Sequence, residues 1–562
     1  MADHASGPET SALRPGGVPL WILASSVLLI LSFPRPDVGI LSLFALIPLL
    51  TGLSNAGKLK AFFAGWGAGT AWFFISYNWL SHSLIAFGNI SFTLAEFGIL
   101  LLAGIHGLYV ALFSVLIPLV AGEGGRVGAG EKNTGMGAWE QGSRGESSEA
   151  LTPLPPHPLT HLLTHTFTPV LILPSAWVLL EMARSWFPAP FPWLMMGSAT
   201  WKTAYLRPLY ELAGVHGVSY WIVMVNVLIW TTFRLRKEGR SRAVILLMVV
   251  LLLPLILSPV MQAGAGRKLK VGVVQGNFHQ ELKWEESLRE ETLRTYMSLT
   301  DKAVQMGAQL VVWPETAIPV FYQAEPELIE KLKNLTSDRN IHLIFGSPGY
   351  EIAGQEVLLY NRVIHLSPDG SEEFYDKIRL VPFGEYVPLA DLLPFVDRMV
   401  PGEGEFARGV WGGPFSTPVP SGALICYEVS IPSLARREVS DGSLMLINVT
   451  NDAWFGRSWG PYQHLAVSAV RAIENGVPIL RAANTGISAI IDRKGRIVEQ
   501  IPLEERGVIV SEIETGGGQT LYTRFGDWIV IPSAAVISVY FLVLLYFRFF
   551  RLMRSWVKQR FS

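Results

Sequence analysis

Long stretches without a charged side chain constrain this chain more than any other feature of its sequence. Such runs occupy residues 15–34, 38–57, 61–95, 97–122, 213–233, 243–266 and 528–547. A helix needs about 20 apolar residues to cross a bilayer, and in lipid only a helix or a closed barrel satisfies the backbone hydrogen bonds. The runs therefore predict membrane-spanning helices.

Two further features complete the predicted membrane domain. The run 61–95 is too long for one helix, and its polar residues between positions 78 and 83 indicate that its second half lines a surface or dips back. A shorter apolar segment at 167–180 adds one span. We therefore predict eight membrane helices, seven before residue 266 and one after residue 527.

Lys and Arg residues set the predicted orientation. They concentrate in the segments 58–60, 126–144, 234–242 and 548–560, whereas the opposite short loops hold few of them. Because positive charge favours the cytoplasmic side, we expect both termini in the cytoplasm and residues 268–520 on the outer side of the membrane. The first run lacks a small-residue cleavage site, which indicates an uncleaved anchor.

Composition excludes several other classes of protein. Charged residues make up 16% of the chain, against about 25% in soluble domains. The 29 Phe, 18 Trp and 16 Tyr residues exclude disorder over the whole chain. A net charge of −1 argues against a nucleic-acid partner, and a single cysteine excludes an internal disulfide and a Cys-rich metal site.

Residues 121–166 interrupt the apolar pattern. They are rich in glycine and then in proline, which predicts a flexible cytoplasmic insert. His157, His161 and His165 have the spacing of metal ligands on a helix, but prolines at 155, 156 and 158 oppose a helix there. We therefore predict no metal site.

Residues 268–520 alternate short apolar runs with amphipathic stretches. Predicted strands cover 270–275, 309–313, 342–345, 357–366, 423–426 and 444–449, and predicted helices cover 285–306 and 460–475. This alternation favours a layered α/β fold. The predicted division is a membrane domain at 1–266, an α/β domain at 267–522, and a C-terminal span with a basic tail at 523–562.

Three reactive side chains each follow a predicted strand of the α/β domain. Glu315 and Cys426 come at the ends of apolar strands, and Lys377 follows the segment 374–376. Taken alone, Cys426 is most simply a small buried residue, and Glu315 and Lys377 are most simply surface charges. A carboxylate base, a cation and a thiol at strand exits together fit catalysis by an activated thiol.

The segments around these residues resemble the nitrilase, or carbon–nitrogen hydrolase, superfamily and its Glu–Lys–Cys triad. They read Trp-Pro-Glu at 313–315, Asp-Lys at 376–377, Pro-Phe-Gly-Glu at 382–385 and Cys-Tyr-Glu at 426–428. The membrane spans narrow the resemblance to the apolipoprotein N-acyltransferase family, the integral-membrane branch of that superfamily. Segments 191–194, 274–277, 360–361, 451–456 and 481–486 fit the same family. The implied fold is an αββα sandwich joined to a helical membrane domain.

The resemblance implies an N-acyltransferase of the bacterial inner membrane with a periplasmic catalytic domain. It implies transfer of a fatty acyl chain from a phospholipid, expected to be phosphatidylethanolamine, to the N-terminal amine of diacylglyceryl-cysteine apolipoproteins. A thioester on Cys426 would carry the chain. It requires no cofactor, and we expect a monomer.

The same resemblance implies roles for individual residues. Glu315 would be the general base, Lys377 would stabilise the oxyanion with the backbone N–H of Tyr427, and Glu385 would hold the Lys377 ammonium. Other residues of the family motifs are assigned supporting roles, namely Trp284, Asn361 and Glu428.

Two apolar groups near the predicted site each keep two interpretations. The segment 386–403 is a buried loop or a lid that admits lipid, with candidate residues Tyr386, Leu389, Leu392 and Phe395. Trp454, Phe455 and Trp459 line an acyl pocket or pack a core.

Two other functions remain open at this point. A membrane-tethered amidase could use the same triad on a small amide, although eight helices exceed what a tether needs. A non-enzymatic transporter or scaffold with a degenerate hydrolase domain would need more charged groups within its spans, and an intact triad argues against it.

Overall fold

The computed structural model describes residues 18–122, 168–187, 190–235, 237–259, 264–279, 286–382, 384–386 and 406–561. The three histidines of the insert, Trp284, and the predicted lid residues Leu389, Leu392 and Phe395 lie outside the described residues.

Helices account for the membrane part of the described chain. They are α1 (Val18–Ser32), α2 (Ile47–Leu53), α3 (Lys58–Ser76), α4 (Leu80–Ala86), α5 (Phe92–Gly122), α6 (Thr168–Arg184), α7 (Arg207–Arg234) and α8 (Lys237–Leu257). Four described stretches are long and apolar enough to cross a membrane, namely Phe92–Ala121, Ala204–Arg234, Gly239–Leu257 and Val530–Val557. Each predicted run contains helix, but the number eight stays a prediction.

Two of the predicted spans are not single helices. The run 38–57 divides into a 3₁₀ turn at Gly39–Leu43 and the short α2, which has a proline in its first turn. The run 61–95 is divided as expected, because α3 ends at Ser76 and α4 follows after a short turn. Helices α3 and α5 pack so closely that a Cβ on Gly65 would collide with the side chain of Ser114.

The extramembrane part contains two sheets. Their strands are β1 (Ala265–Gln275), β2 (Leu310–Val312), β3 (His342–Ala353), β4 (Glu356–Leu366), β5 (Glu372–Asp376), β6 (Ser421–Ile425), β7 (Met445–Thr450), β8 (Ile479–Ala483), β9 (Ser488–Ile491), β10 (Ile497–Ile501) and β11 (Gly507–Gly516). The six-stranded sheet has the order β11-β1-β2-β3-β4-β5, and the five-stranded sheet has the order β10-β9-β8-β7-β6. Strands β1, β2 and β3 run parallel, as do β6, β7 and β8.

Helices cover the outer face of each sheet. They are α9 (Glu286–Gln305), α10 (Pro326–Arg339), α11 (Pro432–Ser440) and α12 (Gly460–Asn475). The short α13 (Leu521–Phe525) packs on α7, α11 and α12, and α14 (Val530–Phe561) ends the described chain. The predicted helices at 285–306 and 460–475 are thus confirmed as α9 and α12.

Side-chain alternation along the strands builds the layers. In β6, Ala423 and Ile425 join a core between the two sheets, whereas Leu424 packs into a cluster that also contains membrane-helix residues. Successive side chains of a strand point to opposite faces, so one buried strand contributes to both layers. Helix α12, which covers the second sheet, packs directly against membrane helix α7.

Candidate functional site

Three strand ends bring the predicted triad together. Glu315 follows β2, Lys377 follows β5, and Cys426 follows β6. Their side chains are nearly enclosed, with 6%, 1% and 8% of each residue exposed. Strands β5 and β6 are edge strands of different sheets, so the site lies where the two sheets of the sandwich meet.

Two carboxylates share the ammonium of Lys377. Its Nζ lies 2.7 Å from Glu385 Oε1 and 3.9 Å from Glu315 Oε1. Burial alone would lower the pKa of Lys377, but the charges of Glu385 and Glu315 outweigh it and raise that pKa. The ammonium therefore stays protonated at neutral pH.

Asn361 joins the two carboxylates. Its Nδ2 donates to Glu315 Oε1 at 2.7 Å and to Glu385 Oε1 at 3.0 Å. The Asn361 carbonyl accepts from the backbone N–H of Lys377 at 2.9 Å, because β4 and β5 are neighbours in the sheet. Glu385 Oε2 accepts from the backbone N–H of Val381 at 2.8 Å, which closes the turn after Lys377.

Cys426 occupies a strained turn between β6 and a 3₁₀ turn at Cys426–Ser430. Its φ is +50°, a conformation that costs a non-glycine residue roughly 1–3 kcal/mol and is common at functional sites. Burial, followed by the charge of Glu315, raises the pKa of the thiol to about 12, although Lys377 opposes this. The resting side chain is therefore a thiol, and it needs a base to become a nucleophile.

Glu428 connects the turn of Cys426 to the segment after Lys377. Its Oε1 accepts from the backbone N–H groups of Ile378 and Arg379, at 2.8 and 2.9 Å. Its Oε2 accepts from Ile425 N–H at 2.8 Å and from the Tyr375 hydroxyl at 2.9 Å. Burial raises the pKa of Glu428 to about 7. The side chain points away from solvent and fixes two backbone segments relative to each other.

Aromatic side chains place the site against the membrane domain. The ring of Tyr427, next to the nucleophile, stacks on Phe191 with centroids 6.2 Å apart. Phe455 is buried between Trp79 and Trp193, at 4.5 and 6.3 Å. Phe455 therefore packs in the contact between the two domains.

The remaining predicted pocket residues are less enclosed. Trp454 is 38% exposed and packs on Phe87 at 4.5 Å, and its carbonyl accepts from Ser83 Oγ. Tyr386 lies beneath the guanidinium of Arg408, 5.4 Å from its ring centroid. A role for any of them in lipid binding stays a prediction. Within the described ranges, no group of three His, Cys, Asp or Glu side chains could hold a metal ion.

Sequence reasoning missed the polar cluster behind Cys426. Within this cluster Asp452 accepts from Thr450 Oγ1 at 3.0 Å and from Arg481 Nη2 at 2.5 Å. His464, fully buried, faces Asp452 on one side and the Cys426 carbonyl on the other. Asp452 and Arg481 belong to motif segments that suggested the family but received no role of their own, and His464 lies within a predicted helix.

Comparison with known proteins assigns both parts of the chain. The family model "Carbon-nitrogen hydrolase" matches residues 270–521, and "Apolipoprotein N-acyltransferase N-terminal domain" matches residues 25–127 and 150–228. An apolipoprotein N-acyltransferase of Geobacter metallireducens is 34% identical over 92% of this chain and 94% of its own length. The chain belongs to the apolipoprotein N-acyltransferase family. A family member from Methylococcus capsulatus is 30% identical over 92% of this chain and 94% of its own length.

Solved structures of the nitrilase superfamily match part of this apolipoprotein N-acyltransferase family member. Nit3 of Saccharomyces cerevisiae is 19% identical, covers 47% of this chain and 96% of its own, and has a TM-score of 0.35. An amidase from Nesterenkonia sp. is 18% identical, covers 45% of this chain and 92% of its own, and has a TM-score of 0.33.

Family membership makes this chain an enzyme, an N-acyltransferase of lipoprotein maturation in a bacterial membrane. The nitrilase-like α/β fold of the extramembrane part is confirmed by the matching family model and by the two sheets. Membership favours the acyltransferase over both the tethered amidase and the non-enzymatic alternative.

Proposed function

We propose that this enzyme moves a fatty acyl chain from a phospholipid to the N-terminal amine of a diacylglyceryl-cysteine apolipoprotein. The acyl donor is phosphatidylethanolamine, and the chain is carried by a thioester on Cys426. The observation that carries the proposal is the enclosed Glu315–Lys377–Cys426 cluster, which lies against the membrane helices where both lipid substrates partition.

The first half-reaction forms the acyl-enzyme. Glu315 takes the proton of the Cys426 thiol as Sγ attacks the ester carbonyl carbon of the phospholipid. This base is needed because the thiol of Cys426, with a pKa of about 12, is not ionised at neutral pH. The ester C–O bond then breaks, Glu315 returns the proton to the departing oxygen, and a lysophospholipid leaves.

The tetrahedral intermediate carries a negative charge on the former carbonyl oxygen. The Lys377 ammonium and the backbone N–H of Tyr427 stabilise this charge. Glu385 keeps the ammonium protonated and in place through its 2.7 Å contact. The elements that hold these groups are strands and tight turns, so the donors are fixed before the reaction begins.

The second half-reaction transfers the chain. The α-amine of the apolipoprotein attacks the thioester carbonyl carbon, the C–S bond breaks, and the amine proton passes through Glu315 to the thiolate. This is a ping-pong mechanism, which requires the first product to leave before the acceptor reacts. Cys426 is only 8% exposed, and this enclosure limits the access of water to the thioester and so disfavours hydrolysis.

The membrane arrangement is part of the proposal. The enzyme has eight spans in the inner membrane, cytoplasmic termini and a periplasmic catalytic domain, and it works as a monomer. The domains divide at residues 266 and 522. The predicted lid at 386–403 admits lipid to the site, and Trp454 lines its path. The bias of Lys and Arg in the short loops supports this orientation.

Intact-protein mass spectrometry tests the proposal. Detergent-purified enzyme is incubated with phosphatidylethanolamine and quenched, with Cys426→Ala as the matched control. We expect a fatty-acyl mass increment on the wild type alone, and its loss when a diacylglyceryl-cysteine peptide with a free amine is added. An N-acetylated peptide should leave the increment in place. A wild-type enzyme that shows no increment under rapid quench would overturn the phospholipid-donor mechanism.

A further inference from the structure

The carbonyl oxygen of Cys426 points into the buried polar cluster rather than toward the substrate side. It lies 3.2 Å from Nε2 of His464 and 3.5 Å from Nδ2 of Asn448. His464, Asn448 and the rest of the cluster are fully or almost fully buried. Burying a polar side chain costs free energy unless it is hydrogen-bonded, so these contacts offset the cost of burying His464 and Asn448 beside the turn.

The contact with the Cys426 carbonyl defines the direction of the hydrogen bond at Nε2 of His464. The Cys426 carbonyl can only accept, so Nε2 must donate. Nδ1 lies 3.0 Å from Asp452 Oδ1, which can only accept, and 3.1 Å from Arg481 Nη2, which can only donate. A neutral ring accepts there from Arg481, and a protonated ring donates there to Asp452; in both states Nε2 carries the proton that the Cys426 carbonyl accepts. Burial and the charge of Arg481 lower the pKa of His464, although Asp452 opposes this. Arg481 also pairs with Asp452, and both side chains contact Nδ1, so the ring is held in place.

The Cys426 carbonyl and the Tyr427 N–H belong to one peptide group. That group is planar and trans, so its C=O and N–H point in opposite directions. Holding the oxygen in the cluster therefore aims the N–H away from it, toward the substrate side. A hydrogen bond accepted at the oxygen also polarises the peptide and strengthens the N–H as a donor. The strained φ of +50° at Cys426 makes such a restraint necessary.

We propose that His464 is a positioning residue for the acyl-transfer reaction, because it holds the Cys426 carbonyl and thereby aims and polarises the Tyr427 N–H at the oxyanion. This inference rests on the proposed function, in which that N–H stabilises the tetrahedral intermediate. It assigns His464 no proton transfer and no contact with substrate.

The position of His464 on α12 supports this role. The preceding residue, Gln463, accepts from the indole N–H groups of Trp79 and Trp193, at 3.1 and 2.7 Å. It also donates to the Pro34 carbonyl at 3.1 Å. Helix α12 is thus fixed to the membrane domain on one side and to the nucleophile turn on the other. Because α12 is held in this way, the His464 ring can restrain the strained peptide group that follows Cys426.

Two amide substitutions test the inference. In His464→Gln the amide nitrogen reaches the position of Nε2, whereas in His464→Asn it is shorter by one methylene and does not reach the Cys426 oxygen. We measure the rate of thioester formation from phosphatidylethanolamine by rapid quench and mass spectrometry. We expect His464→Asn to lower that rate by roughly 10- to 100-fold, and His464→Gln to recover most of it.

Alkylation of Cys426 by iodoacetamide provides the discriminating measurement. Alkylation needs the thiol and its base but no oxyanion donor, so we expect its rate to change less than two-fold in both variants. A parallel loss of alkylation and acylation would show a merely structural role and overturn the inference. Equal acylation by wild type and His464→Asn would overturn it too. A wild type that is alkylated but never acylated would instead refute the proposed function.

His365→Gln is the matched control. His365 is equally buried but lies in the other sheet, where it contacts His342 and Glu373 rather than the site. We expect it to leave both rates within two-fold of wild type. Thermal unfolding of each variant in detergent shows whether it is folded before any rate is compared.

Discussion

At the residue scale, the charges around Lys377 determine whether its side chain stays protonated. The buried ammonium would lose its proton more easily if burial acted alone. Glu385, at 2.7 Å, and Glu315, at 3.9 Å, offset that effect. The nearer carboxylate is therefore the main partner of the ammonium, which in the proposed mechanism leaves Glu315 to accept the thiol proton. Asn361 donates a hydrogen bond to both carboxylates and thereby reduces the repulsion between their negative charges.

Replacement of Glu385 by Gln tests this balance. Without that carboxylate, burial lowers the pKa of Lys377, so the ammonium deprotonates at a lower pH. We expect thioester formation to fall roughly 10-fold or more, and the alkaline limb of its pH profile to move toward neutral pH. The wild type should stay active to higher pH, since its Lys377 pKa is raised. Glu351→Gln serves as the control, because Glu351 is a half-exposed carboxylate that pairs with Arg362. An unshifted profile in Glu385→Gln would contradict this explanation.

A second residue-scale property concerns stability rather than catalysis. His342 Nδ1 lies 3.0 Å from His365 Nε2, and His365 Nδ1 lies 2.8 Å from Glu373 Oε2. Burial, followed by the proximity of His365, lowers the pKa of His342 to about 4. Asp369 and Glu373 act in the opposite direction but do not compensate. The pair therefore favours neutral rings in the folded protein.

We expect the catalytic domain to become less stable as the pH decreases, because this pair of histidines is neutral in the folded protein. Below about pH 6.5 the unfolded chain binds a proton at His342 that the folded chain does not bind until about pH 4. At pH 5 the loss is about 1 kcal/mol after allowance for the partial exposure of His342, or roughly 2–4 °C in the unfolding midpoint. Thermal unfolding at pH 7.5 and pH 5 measures it. We expect His342→Gln to show a smaller pH effect than wild type, and an equal effect would contradict the assignment.

At the element scale, α7 shows how the two domains are joined. Its backbone leaves the helical conformation at Ala213 and Gly214, where Gly214 has φ +65°. The break exposes the N–H of Val215, and the carboxylate of Glu474 from α12 accepts it at 2.6 Å. An irregular backbone near a membrane is tolerated when protein groups satisfy it. The catalytic domain therefore caps a broken membrane helix.

Replacement of Gly214 by Ala should damage this junction. A Cβ there would collide with the ring of Tyr522, and φ +65° is unfavourable for alanine. We expect a destabilisation of about 1–3 kcal/mol, measured as a lower unfolding midpoint in detergent. Gly67→Ala is the matched control, because Gly67 lies inside α3 and a Cβ added there would have no atom within 4 Å. Equal midpoints for the two variants would show that the break is not strained.

The same elements show what a sequence can and cannot predict. Strands β2, β6 and β7 were predictable, because each is a short apolar run that ends next to a motif residue. Strands β8 and β10 escaped prediction because Arg481 is buried within β8, and the middle of β10 carries the exposed polar residues Glu499 and Gln500. The break in α7 depends on Glu474, more than 250 residues away in the chain. Tertiary contacts decide such features.

The candidate site divides in the same way. Glu315, Lys377 and Cys426 were predictable because each reactive type stands at a strand end within a recognisable segment. His464 was not, since its contact with the Cys426 carbonyl depends on how α12 packs over the second sheet. Its residue type and helix position alone fit an ordinary core histidine.

At the scale of the whole molecule, the catalytic domain and the membrane domain share one continuous core. Leu424, Leu446 and residues of α12 pack in the same cluster as the membrane helices. The Gln463 side chain forms four hydrogen bonds at this contact, including one to the carbonyl of Ser76. The turn of Cys426 is therefore held in a fixed position relative to the membrane helices, as the proposed reaction with a membrane lipid requires.

The orientation of this assembly is open to a direct test, because the chain has a single cysteine. In a Cys426→Ala background, one new thiol is introduced at an exposed position by Lys331→Cys on α10, Lys60→Cys on α3 or Arg560→Cys on α14. A membrane-impermeant maleimide is then applied to spheroplasts. Lys and Arg in short loops favour the cytoplasm. We therefore expect Lys331→Cys to be labelled in intact spheroplasts, and Lys60→Cys and Arg560→Cys to be labelled only after the spheroplasts are lysed. Labelling of Arg560→Cys from outside would place the basic end of α14 in the periplasm and invert the proposed topology.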